Sequence, residues 1–135
     1  MKSSALLLSF VLLSCGVLEP SRFVPPDISF TQVKYRLQSS CASRVMCHGD
    51  SLPVPQLRPL VLLVDSSYAA LVERESVEVP SMLLVAPGKP ERSYLMWKLV
   101  WNDSARGDKM PPDFNLEPWE IEWVRWWILA GAEDD

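Results

Sequence analysis

The chain has only one histidine, His48, among its 135 residues. Hydrolase sites usually pair a nucleophile with a separate base, and His48 directly follows Cys47, so in a loop it cannot turn back to activate that thiol. The acidic residues are scattered, and no pair of them suggests general acid and base catalysis. The sequence therefore argues against a hydrolase, and we expect a protein that is not an enzyme.

Basic clusters are also missing, since 13 Lys and Arg stand against 17 Asp and Glu and the formal net charge is −4. Nucleic-acid-binding proteins carry a concentrated positive surface, so we expect no nucleic-acid partner. Zinc binding by Cys41, Cys47 and His48 would need a fourth ligand and reduced thiols. The chain contains no internal repeat, and its length suits a single domain.

Long apolar segments are confined to the start of the chain. Met1 and Lys2 precede an apolar run of about nine residues, 5–13, which is too short to span a bilayer and is typical of a signal peptide. The run ends in Leu-Leu-Ser-Cys, similar to a bacterial lipobox, in which the cysteine becomes the lipidated N-terminus; ordinary cleavage and secretion is the alternative. We predict a signal peptide over 1–14 and lipidation at Cys15. The product would be a periplasmic or outer-face lipoprotein of a Gram-negative-type bacterium, touching the membrane only through its lipid.

The mature chain would be a short tether followed by one mostly α-helical domain. Cleavage removes a single charge, Lys2, which leaves 12 basic and 17 acidic residues and a net charge of −5. Residues 15–27 are rich in proline and lack an apolar period, which indicates a tether. Residues 133–135 read as a solvated tail. Apolar spacing and capping residues predict helices from Asp27 or Ser29 into the cysteine segment, over 66–72, over 93–101, and from Pro118 to Gly131.

The last predicted helix carries four of the six tryptophans. Such a broad aromatic face must be buried against something large, either the other helices or a flat cofactor. Ordinary core packing is expected to account for most of these rings.

The segment 41–49 (Cys-Ala-Ser-Arg-Val-Met-Cys-His-Gly) holds two of the three cysteines and the histidine. A Cys-His pair with another cysteine upstream is the pattern for covalent haem attachment, in which the thiols form thioethers and the imidazole binds the iron. The usual spacing is C-x-x-C-H, whereas five residues separate Cys41 from Cys47. In an oxidising compartment, a Cys41–Cys47 disulfide closing a small loop is the alternative.

If haem is bound, His48 must be the proximal ligand and a methionine is the expected distal ligand. Met46 is too close to His48 along the chain to reach the opposite haem face, and Met96 is expected in the core. Met82 stays possible. Met110 is favoured because two prolines follow it, and a loop stiffened in this way can hold a thioether sulfur in place at little entropic cost.

Several segments in order resemble the small class I-type cytochrome c domains of planctomycetes and myxobacteria. That family combines C-x-x-C-H-G, a P-G-x-P-x-x-S-x-L turn, an M-P-P loop and a final helix ending in W-I-x-x-G-A. The matching segments here are 41–49, Pro87–Leu95, Met110–Pro112 and Trp127–Ala132. The resemblance covers about residues 28–132.

The resemblance implies a cytochrome c-like helical fold around a single haem c pocket. Carried over by position, it assigns Cys41 and Cys47 as attachment sites, His48 as proximal ligand and Met110 as distal ligand. The expected function is that of an electron carrier with an acidic surface and a basic redox protein as partner. Because of the longer spacing, three outcomes stay open: attachment with the extra residues bulged out, a single thioether from Cys47, or a haem-free, disulfide-closed lipoprotein of the same fold that acts as a binding or structural module.

Overall fold

The chain is mostly helical, as predicted. The computed structural model describes residues 26–42, 48–49, 60–63 and 65–135, and within these ranges only isolated β-bridges are found. The predicted signal peptide, Cys15 and most of the tether lie outside the described residues. No helix in the described ranges is long and apolar enough to cross a bilayer. The α-helices are α1 (Phe30–Leu37), α2 (Ser67–Leu71), α3 (Tyr94–Val100) and α4 (Pro118–Leu129), with a π-helix at Gln38–Ala42 and a 3₁₀ helix at Pro90–Arg92.

Helix α1 begins after Ser29, one of the two predicted N-caps. The Ser29 amide donates a hydrogen bond of 3.1 Å to Gln32 Oε1, which satisfies a backbone donor at the helix start. The apolar residues at helical spacing, Phe30, Val33 and Leu37, are all buried. The π-helix continues α1 directly, so the buried face of α1 leads into the segment that contains Cys41.

Helix α4 begins at Pro118, where the missing amide hydrogen costs no hydrogen bond. The Glu117 amide donates to Glu120 Oε2 at 2.8 Å, which caps the first turn. The helix ends before Gly131, whose φ of 119° is one that residues with a side chain rarely adopt. Both predicted ends of this helix are therefore confirmed to within two residues.

An aromatic cluster joins α1, α2 and α4. Trp127 is 2% exposed and its ring lies 5.0 Å from that of Phe30, which in turn meets Tyr68 edge-on at 5.2 Å. The core-packing interpretation is therefore confirmed for Trp127. Trp119 is different, because it is 43% exposed and packs against Trp123 at 4.9 Å and beneath the Arg36 guanidinium.

The segment before α3 is held by a buried serine. Ser93 Oγ accepts a hydrogen bond of 2.9 Å from the Ala86 amide and donates one of 3.0 Å to the Lys89 carbonyl. Gly88, with φ of 72°, makes the turn between them. Backbone bonds from Tyr94 and Leu95 to residues 83–84 then fix the start of α3. These contacts give the serine of the P-G-x-P-x-x-S segment a structural role: it closes the turn.

The last residues are exposed, as predicted for a tail, yet they contact the start of α1. The Phe30 amide donates to Asp135 Oδ1 at 2.6 Å, and Thr31 Oγ1 donates to the Asp135 carbonyl oxygen at 3.0 Å. The Trp127 indole N–H donates to the Glu133 carbonyl at 2.9 Å. A carboxylate at a helix N-terminus also interacts favourably with the helix dipole, so this contact stabilises α1.

We predict that Asp135→Ala lowers the free energy of unfolding by about 1 kcal/mol, because an orphan amide of α1 loses its acceptor. Urea unfolding of the mature chain measures the change. Asp134→Ala removes the same charge one residue away and is the matched control. Equal stabilities for the two variants would contradict a specific contact between Asp135 and α1.

Candidate functional site

The described ranges include three of the five predicted site residues: Cys41, His48 and Met110. Cys47 and Cys15 lie outside them, as does Met46, so the attachment at Cys47, the alternative Cys41–Cys47 disulfide and the predicted lipidation site do too. Cys41 and His48 are brought into direct contact. Met110 bonds to helix α3 instead.

Cys41 lies in the π-helix that continues α1 and is 9% exposed. Its side chain belongs to the same buried cluster as Val33, Leu37 and Leu62. Single π-turns at the end of an α-helix are often found at functional sites, because the extra residue per turn changes the direction in which side chains and carbonyls point. Cys41 is therefore carried by a helical turn that continues α1 and packs its side chain into the apolar core.

The His48 amide donates a hydrogen bond of 2.8 Å to the Cys41 carbonyl oxygen. In a C-x-x-C-H motif the histidine follows the first cysteine by four residues, which is the spacing of an α-helical hydrogen bond. Here His48 follows Cys41 by seven residues. The backbone hydrogen bond between the first cysteine and the histidine, which a helical C-x-x-C-H motif would make, is thus also made here, although three more residues separate the two.

Gly49 extends this close approach by one residue. A Cβ atom at position 49 would lie 2.9 Å from the carbonyl oxygen of Ala42, closer than Cβ atoms come to other heavy atoms in proteins. Only glycine fits without moving the backbone. Cys41 therefore lies next to His48, and Ala42 lies next to Gly49. The residues between Ala42 and His48 join two segments whose backbones are already in contact.

The His48 ring is oriented by a backbone carbonyl. Nδ1 lies 3.2 Å from the Leu60 carbonyl oxygen, and the His48 carbonyl accepts a bond of 2.8 Å from the Leu62 amide. Because a carbonyl can only accept, the neutral ring carries its proton on Nδ1 and presents the Nε2 lone pair. Metal-bound histidines characteristically donate their second ring nitrogen to such an acceptor.

The electrostatics of the site favour the neutral imidazole. Burial lowers the pKa of His48, and the positive charge of Lys98 lowers it further, while the bond to Leu60 and the carboxylate of Glu78 oppose them. The net direction is downward from the ordinary value of 6.5. At neutral pH the ring is uncharged, the form in which a histidine binds a metal.

Met110 is half-buried, and its amide donates to the Lys98 carbonyl oxygen at 2.9 Å. Pro111, which follows it, is buried. Lys98 also contributes to lowering the pKa of His48 through its charge, but the contact of Met110 with α3 is the backbone bond to Lys98.

The other methionines in the described ranges have different surroundings. Met96 is 2% exposed in the core, which confirms the core role predicted for it. Met82 lines a surface cavity together with Arg92 and Trp97.

Sequence reasoning missed two features. Ser67 was expected only as part of a helix cap, but its hydroxyl is buried and finds no hydrogen-bond partner within the described ranges. Ser67 is bonded through its amide to Leu63, close to the segment that holds His48. A buried hydroxyl of this kind suits a bound water or ligand. The second feature is Lys98, buried on the otherwise apolar helix α3; its spacing of four residues from Tyr94 was the available signal.

A haem iron needs only one or two protein ligands, so a large cluster of ligating side chains is not required. Within residues 26–42, 48–49, 60–63 and 65–135, no three His, Cys, Asp or Glu side chains converge in a metal-binding group. A c-type haem takes cysteine thiols for attachment and a neutral histidine at the iron, and the buried Cys41 and His48, joined through their backbones, are donors of these types.

We predict that Gly49→Ala lowers the free energy of unfolding by about 1–3 kcal/mol, because the new methyl group forces the Ala42 and Gly49 backbones apart. The amide of His48 should lose protection from hydrogen exchange in this variant. Gly88→Ala is the comparison, since a Cβ there meets nothing within 4 Å and strains only a φ of 72°. Unchanged protection of the His48 amide in Gly49→Ala would contradict the close register.

No protein-family model, curated protein or solved structure matches the chain. What the protein does must therefore be inferred from its own residues and their contacts.

Proposed function

We propose that this protein is an electron carrier of the c-type cytochrome kind, with one haem attached through Cys41 and Cys47 and bound at the iron by His48 and Met110. The orientation of His48 carries the proposal. Its Nδ1 is engaged by the Leu60 carbonyl at 3.2 Å, which leaves Nε2 as the coordinating atom. The ring is also in its neutral form at neutral pH, because burial lowers its pKa.

The contact between Cys41 and His48 supports covalent attachment despite the longer spacing. Attachment requires that the first thiol and the imidazole stay at a fixed separation while the extra residues bulge outward. The 2.8 Å hydrogen bond between the two backbones provides that separation. The bulged form of attachment is accordingly the outcome that we favour among the three left open by the sequence.

Haem held in this way supplies reversible one-electron chemistry, and His/Met ligation shifts its potential upward. The chain's own residues hold it and exclude water. Cys41 and the core around it offer an apolar wall, and Ser67 offers a buried hydroxyl that has no hydrogen-bond partner among the described residues. A dry, apolar shell controls the potential of the iron through the local dielectric.

The cytochrome c-like fold, the export signal and the lipid anchor belong to the same proposal. An anchored carrier meets its partner at a membrane surface and exchanges one electron in a brief encounter. The mature chain's excess of acidic residues favours a basic redox protein as that partner, with a small interface that forms and separates quickly.

The test is the visible spectrum and intact mass of the mature protein, produced in a periplasm with cytochrome c maturation machinery. We expect a Soret band that survives acid–acetone extraction and a mass increase of one haem. Comparing Cys41→Ala with Cys47→Ala distinguishes attachment of the haem through two thioethers from attachment through Cys47 alone. A colourless protein lighter than its reduced form by two hydrogen atoms would instead establish the disulfide-closed, haem-free module and rule out electron transfer.

For the distal ligand, we predict that Met110→Ala abolishes the methionine–iron charge-transfer band while the haem stays covalently bound. The reason is that the thioether is lost but both attachment cysteines and His48 are intact. Met82→Ala is the matched control and should keep the band. An unchanged spectrum in Met110→Ala would remove Met110 from the site.

A further inference from the structure

The loop between α3 and Met110 is tied to α3 through the backbone of Arg106. The Arg106 carbonyl oxygen accepts a hydrogen bond of 2.6 Å from Lys98 Nζ. Its amide donates one of 3.0 Å to the Tyr94 hydroxyl. Tyr94 and Lys98 are one helical turn apart, so both backbone groups of a single loop residue are bonded to adjacent side chains of one helix.

Lys98 holds the loop at a second point. Its own carbonyl oxygen accepts the Met110 amide at 2.9 Å, while its ammonium bonds to Arg106 four residues earlier. The loop from 106 to 110 is therefore fixed at both ends by the same lysine. The position of the Met110 backbone follows from these two contacts.

Glu78 completes the arrangement from another part of the chain. One of its oxygens, Oε2, accepts hydrogen bonds from both the Tyr94 hydroxyl and Lys98 Nζ, the latter at 3.3 Å. Because the Tyr94 proton is directed at Glu78, the hydroxyl oxygen is free to accept the Arg106 amide. The loop packs directly on this group, since a Cβ at Gly107 would lie 3.4 Å from Glu78 Oε1 and 3.5 Å from Lys98 Nζ.

The burial of Lys98 indicates that the arrangement is specific. Lys98 is 7% exposed and Tyr94 is 3% exposed. Lysine is almost never buried without partners, because removing an ammonium from water is costly unless hydrogen bonds replace the lost hydration. Here a carbonyl, a carboxylate and the face of the Tyr94 ring at 5.9 Å surround the ammonium.

We propose that Tyr94, Lys98 and Glu78 form a clamp that positions the Met110 loop and so sets the approach of the Met110 thioether to the iron. The part that concerns iron rests on the proposed function, whereas the part that concerns the loop does not. None of the three residues is among the proposed ligands of the iron. They are positioning residues that act through the backbone of residues 106–110.

The experiment measures amide hydrogen exchange in the mature protein as isolated, for Tyr94→Phe and Lys98→Met. Each change removes one polar group and keeps most of the side-chain volume. Both variants keep the backbone carbonyl of residue 98, to which the Met110 amide is bonded. Faster exchange of the Met110 amide would therefore report movement of the loop itself. We expect exchange at Arg106 and Met110 to accelerate by about fivefold or more, the loss of roughly one hydrogen bond, while the Trp127 amide in α4 is little changed.

Tyr35→Phe and Lys89→Met are the matched controls, because they make the same chemical changes at exposed positions and should leave the loop amides unaltered. In the haem-loaded protein, the methionine–iron charge-transfer band should weaken in Tyr94→Phe and Lys98→Met but not in the controls.

Unchanged exchange at Met110, or equal acceleration at Met110 and Trp127, would overturn the clamp. Faster exchange with an intact charge-transfer band would overturn the positioning of the thioether. Failure of the proposed function is recognised separately, by an unchanged spectrum in Met110→Ala or by a colourless wild-type protein. In either case the exchange measurement still decides whether the clamp holds the loop.

Discussion

The hydrogen bond from the His48 amide to the Cys41 carbonyl is the constraint on which the candidate site depends. It connects the π-helix at the end of α1 to the segment that carries the only histidine, and Gly49 makes the approach sterically possible. The Leu60 carbonyl can then orient the imidazole, because the backbone of residue 48 is already held. Without this bond, the position of His48 would depend on a loop alone.

Much of the helical framework follows from local chemistry, and that part was predictable. Ser29 and Pro118 mark helix starts through their own backbone requirements, and the apolar residues of α1 repeat at the helical period. For the candidate site, the sequence predicted which types of residue take part but not the contacts between them. The contact between Cys41 and His48 spans seven residues without a repeating pattern, and the partners of Lys98 come from Glu78 and Arg106, which no periodicity connects to it.

The charge of a buried lysine acts on the histidine of the candidate site. Lys98 lowers the pKa of His48, and Glu78 offsets part of that effect while bonding to the same ammonium. The carboxylate is half-exposed, so solvent screens its contribution more than that of the lysine. Lys98 and Glu78, two of the three groups proposed to hold the Met110 loop, therefore also influence the protonation of the histidine.

The hydrogen bonds between Asp135 and the start of α1 bring residues 30 and 135 into contact. In topological terms the folded domain is nearly a closed ring, and a short linker could join its ends. A circular permutant opened in the exposed turn at 103–104 would keep every contact of α1 with α4. It would also move the segment that precedes α1 from the start of that helix to the turn that follows α3, on a different part of the domain surface.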